Sequence, residues 1–79
     1  MNYYQKFKIL NMKNYTLRYV IDYTGGDLGN EINTQDRSWV ISSASMESAS
    51  LTLGSEFIAA KINLEKKGYN IVREMSSVE

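Results

Sequence analysis

Asp22, Asp27, Glu31 and Asp36 form the densest run of ionisable side chains of one sign in this sequence, with no base among residues 21–36. Clustered carboxylates are the donors that hard cations such as calcium and magnesium take. The spacing is not that of an EF-hand loop, and a solvated acidic loop is the expectation. No pair of the nine carboxylates is placed for acid–base work. The chain has no histidine and no cysteine. That removes the Ser-His and Cys-His nucleophile systems, the usual zinc ligands and disulfide stapling. The expectation is a chain that is not an enzyme and carries no metal or other cofactor.

The bases lie elsewhere. Residues 1–20 hold Lys6, Lys8, Lys13 and Arg18 with no acid, although the formal net charge of the chain is zero. A neutral chain is not expected to be a dedicated DNA binder, which needs net positive charge to displace counterions. Tyr4, Lys6, Lys8 and Arg18 together would suit RNA, with a base stacked on the aromatic ring and phosphates on the cations. The plainer account is an ordinary solvated outer sheet face. The glycine-rich run Gly25-Gly26-Asp27-Leu28-Gly29-Asn30 lacks the Gly-Lys-Ser/Thr ending of a phosphate-binding loop and is followed by Glu31. An anion there would meet acids, so a phosphate cradle is rejected.

The elements that position these residues follow from periodicity. Tyr15, Leu17, Tyr19, Ile21 and Tyr23 alternate with Thr16, Arg18, Val20, Asp22 and Thr24, which predicts a half-buried strand over 15–24 with the first set facing the core. A preceding strand is expected over Tyr3–Leu10, joined through Asn11-Met12-Lys13-Asn14 as a tight hairpin. Gly25–Asp36 reads as a long exposed, flexible loop. Ser38–Ser43 reads as the next strand, with Trp39 as a core anchor.

A long helix follows, with Ser45 as N-cap, Glu47 in the first turn, Lys66 and Lys67 in the last, and Gly68 just beyond its end. Met46, Ala49, Leu53, Phe57, Ala60 and Leu64 recur at three and four residues, and Ile58 and Ile62 are expected to widen that buried stripe. Gly54 is expected to let the helix approach the sheet closely. Tyr69–Met75 reads as a last strand, with Ser76–Glu79 fraying.

The fold class is therefore α+β: an antiparallel sheet of three to four strands with one long helix packed on one face, in the order β-β-β-α-β, as a single domain over residues 1–79. No apolar run reaches the roughly 20 residues that span a bilayer, so no membrane association is expected. Met1–Met12 lacks the apolar core of a signal peptide, which makes the cytoplasm the expected location.

The run Trp39-Val40-Ile41-Ser42-Ser43-Ala44-Ser45-Met46-Glu47-Ser48-Ala49 resembles the strand-to-helix junction of HicB-type antitoxins, and the Tyr3-Tyr4 segment is loosely similar. Those proteins are small β-β-β-α-β domains that block an RNA-cleaving toxin. The turn of Pro-Gly-Cys type common before that junction is missing here, and no DNA-binding appendage follows. What the resemblance implies is a class of small folded proteins that act by occupying another molecule. The functional expectation is a non-catalytic module that binds a protein partner and occludes it, as inhibitors encoded by phages and mobile elements do. Asp22, Asp27, Leu28, Glu31 and Asp36 are the expected contact residues. RNA binding is the alternative. Homodimer formation is a further expectation, because so short a chain without disulfide or metal gains stability by self-association.

Overall fold

The computed structural model describes residues 11–79. The expected strand over Tyr3–Leu10, and with it Tyr4, Lys6 and Lys8, lies outside the described residues. Within them the chain runs through strand β1 (Lys13–Gly25), a short 3-10 turn (Gly26–Leu28), strand β2 (Asn33–Ser43), helix α1 (Met46–Lys66) and strand β3 (Tyr69–Val78). The three strands make one antiparallel sheet in the order β2-β1-β3, and the fold class is α+β.

β1 is the central strand, paired with β2 on one edge and β3 on the other, and it carries the inner face of the sheet. Leu17, Tyr19 and Ile21 are buried, and Tyr15 and Tyr23 pack against them. The alternation places this odd-numbered set under the helix and the even-numbered set on the opposite face, which no element among the described residues covers. β2 pairs with β1 from Lys13–Ser43 to Tyr23–Asn33, and β3 from Leu17–Val78 to Gly25–Tyr69. β1 thus has a neighbour on each edge over Leu17–Tyr23. A register shift between Asp22 and Tyr23 leaves Val72 of β3 without a partner of its own, as a β-bulge does.

Three expected boundaries move. The expected loop over Gly25–Asp36 contracts to residues 26–32, because Asn33–Asp36 already belong to β2. Four polar side chains in a row, Asn33 to Asp36, gave no apolar signal, and pairing with β1 supplies the strand instead. Ser76–Glu79 do not fray. β3 continues to Val78, and Thr16 and Glu79 exchange two backbone hydrogen bonds of 2.7 and 2.9 Å. The helix stripe is also narrower than expected. Ala49, Leu53 and Leu64 are buried and Phe57 and Ala60 pack beside them, but Met46, Ile58 and Ile62 are exposed.

The helix ends agree with their chemistry. The Ser45 hydroxyl accepts a hydrogen bond of 3.1 Å from the Ser48 amide. Gly68 takes φ +90° immediately after the C-cap Lys67, a conformation that side-chain-bearing residues avoid. Gly54 is different: a Cβ placed there meets nothing within 4 Å, so close approach to the sheet does not require glycine. Replacing Gly54 with alanine is expected to stabilise the domain by about 1 kcal/mol, the helix-propensity difference, read as a raised denaturant midpoint. An unchanged or lowered midpoint would show that the backbone at Gly54 serves something besides the helix.

Candidate functional site

Three places on the described residues bear on function, and the site residues singled out by sequence fall into the first two. Arg18 and Asp36 lie on the uncovered face, on neighbouring strands. Arg18 donates from Nε (3.1 Å) and Nη2 (2.8 Å) to the two carboxylate oxygens of Asp36, a bidentate pair. Hydrogen bonding to Arg18 holds the Asp36 carboxyl below the usual carboxylate range, and the same contact raises the Arg18 guanidinium. With the folded value depressed, the pair's small contribution to stability is present above the ordinary aspartate range and is lost as pH falls through the lowered value. Both side chains are about half exposed, so solvent screens the interaction. The consequence for recognition is direct: a phosphate reaching Arg18 must displace a carboxylate already seated in its fork. Asp22, on the same face, accepts a hydrogen bond of 2.7 Å from the Thr34 hydroxyl.

The second place is the turn between β1 and β2. Gly25 and Gly26 enter it at φ +91° and +54°, which is why glycine stands at both positions. The turn is closed by Gly25 N–H donating to the Gly29 carbonyl (3.1 Å) and by Glu31 N–H donating to the Leu28 carbonyl (3.1 Å). The Thr24 hydroxyl donates to the carbonyls of Glu31 (2.6 Å) and Gly29 (3.1 Å). Tyr69 lies over the turn, its ring edge-on to Tyr23 at 4.9 Å and its hydroxyl donating to Asp27 at 2.8 Å. That hydrogen bond to a carboxylate raises the Tyr69 phenol, since the phenolate could no longer donate. Asp27, Leu28 and Glu31 therefore ride on a tied turn, and the expectation of a flexible loop gives way to this bonding. Replacing Tyr69 with phenylalanine is expected to speed amide hydrogen exchange at Gly25 and Glu31, whose N–H groups close the turn, while leaving the melting temperature nearly unchanged. Equal exchange in the two proteins would show that Tyr69 does not hold the turn.

The third place was not anticipated. Leu51, Ile58 and Ile62 are 77%, 54% and 46% exposed. At 3.6 residues per turn they cluster about 160° around the axis from the buried set Ala49, Leu53, Phe57, Ala60 and Leu64. Helix α1 therefore has two apolar faces, one closed against the sheet and one open. The signal was present in the sequence as a spacing of seven and four residues, 51–58–62, out of phase with the core stripe. The expectation that Ile58 and Ile62 widen the inner stripe overlooked that phase.

On the sheet side, the helix packs chiefly on β1 and β3 and least on β2. Around Tyr19 the inner face is aromatic: Trp39 meets it edge-on at 6.0 Å and Phe57 lies at 5.5 Å. Arg37 covers the Trp39 ring at 4.0 Å and pairs with Glu56 at 3.1 Å, while Lys61 stands over Phe57 at 4.4 Å and pairs with Glu74 at 3.0 Å. Trp39 is thus half-buried, held between Tyr19 and Arg37.

Among the described residues no group of three or more carboxylates is arranged to hold a metal ion, and no helix is long and apolar enough to cross a membrane. Comparison with protein families, with curated proteins and with solved structures gives no match.

Proposed function

We propose that this chain is a small non-catalytic protein-binding module that acts by occupying a partner stoichiometrically. The observation that carries the proposal is the open apolar row Leu51, Ile58 and Ile62 on the helix face turned away from the sheet. Single exposed apolar residues are ordinary, but a row of large ones on a rigid element fits the helix-in-groove mode of recognition. A buried face on the other side of the same helix holds the row in fixed geometry, which lowers the ordering cost of binding.

We place the contact on α1 rather than on the acidic residues because three of the latter are engaged within the chain. Asp22 is held by Thr34, Asp27 by Tyr69 and Asp36 by Arg18. The resemblance of residues 39–49 to an antitoxin junction supports the same class of action, as an inhibitor of antitoxin or anti-defence kind. No observation on the described residues favours RNA, since Arg18 is already paired.

The test is affinity capture of the tagged protein from host lysate, with nuclease treatment and a salt series. A stoichiometric protein band that survives nuclease and moderate salt is the expected result. Recovery of RNA alone, lost as salt rises, would overturn the proposal in favour of nucleic-acid binding.

A further inference from the structure

The two outer edges of the sheet are built differently. β3 carries a bulge at Val72, a device that discourages edge pairing. β2 is eleven residues long and pairs with β1 in unbroken register. Thr16 exchanges both its backbone bonds with Glu79, so even-numbered residues of β1 address β3 and odd-numbered ones address β2. The registers of β2 then fix its own polarity: Asn33, Gln35, Arg37, Trp39 and Ile41 bond to β1. Asp36, Ser38 and Val40 therefore direct their N–H and C=O groups outward, where no strand lies among the described residues. At one end the Thr34 amide is taken by the Asn33 side chain at 3.2 Å.

The geometry points to a second copy of this chain as the occupant of that edge, paired antiparallel to β2 about a two-fold axis at Ser38. This register sets Ser38 opposite itself and Asp36 opposite Val40 of the partner subunit, which gives three pairs and about six new backbone hydrogen bonds. On the helix side it sets Arg37 beside Trp39 of the partner subunit, twice by symmetry. Within one chain Arg37 already covers a Trp39 ring at 4.0 Å, so the pairing repeats a contact these side chains make. The alternative axes at Arg37 or Asp36 oppose like charges directly. Asp36 arrives at the edge already neutralised by Arg18, and a net charge of zero removes overall repulsion between copies. Because α1 leans toward β1 and β3, the joined six-stranded sheet has room for both helices on one face, with the Leu51–Ile62 row of each still open. The inference is independent of the helix-face reading.

The test uses the absence of cysteine from the sequence. Ser38→Cys places two thiols directly opposite at a Cα separation of about 5.5 Å, within disulfide range, whereas Val40→Cys leaves its thiols roughly 13 Å apart. Sedimentation of the native protein over a wide concentration range is expected to show a monomer–dimer equilibrium. Under mild oxidation Ser38→Cys is expected to crosslink about tenfold faster or more than Val40→Cys, since only the former satisfies disulfide geometry. Circular dichroism checks that both variants keep the fold. A monomer at every concentration would overturn the inference. So would a dimer in which Ser38→Cys crosslinks no faster than Val40→Cys, because its contact would lie elsewhere.

Discussion

Replacing Leu51 and Ile58 together with glutamate is expected to abolish partner capture while leaving the fold intact. Both side chains are more than half exposed, and they face away from the core. Exposed substitutions usually change stability within about 0.5 kcal/mol. Apolar side chains seated in a partner's groove lose more: truncating a central contact costs about 2 kcal/mol or more, roughly thirtyfold in affinity. A carboxylate forced into the same groove adds a desolvation penalty to that loss. The measurement is a binding isotherm for wild type and variant against the captured partner, with the melting temperature alongside. Equal affinity at equal stability would show that the helix face does not bind.

Leu17→Ala or Ile21→Ala is expected to have the opposite profile, with stability lost throughout the domain. Both side chains are fully buried, at 0% exposure in the centre of the middle strand. Deleting a large core side chain costs about 2–5 kcal/mol through lost transfer energy and the cavity left behind. The whole stability of a domain is only about 5–15 kcal/mol, and a chain this short stands at the low end. Either variant should therefore be partly unfolded near physiological temperature. Val40→Ala, on the uncovered face at 61% exposure, should shift the denaturant midpoint little. Comparable losses at Leu17 and Val40 would mean that the open face of the sheet is not open in solution.

These contrasts show what was legible in the residues. The five odd-numbered apolar side chains from Tyr15 to Tyr23 announce a strand and its buried face, because side chains alternate strictly along a pleated backbone. Ser45 and Gly68 announce the helix ends, because orphaned backbone groups demand such partners. Strand order was not legible: nothing local says that β1 is central, since that depends on pairings across the chain. The start of β2 was hidden for the same reason, as Asn33 and Asp36 are poor strand formers held by the register with β1. Ile58 and Ile62 misled because they follow core positions closely in sequence; at 100° per residue they point away from the stripe, and that phase decides their exposure. At the candidate site, the carboxylates were visible but their partners were not. Tyr69 reaches Asp27 across 42 residues and Arg18 meets Asp36 across 18, distances over which sequence spacing carries no geometry.

The central claim is that the outer face of α1 is a recognition surface, and site-specific photocrosslinking reads it most directly. A benzophenone amino acid placed at Ile58 and, as a control, at Ser77 on the uncovered sheet face is irradiated in host lysate. The account predicts one protein adduct of defined mass from position 58 and none from position 77. Adducts of equal yield from both positions, or none from position 58 while the tagged protein still captures its partner, would contradict it.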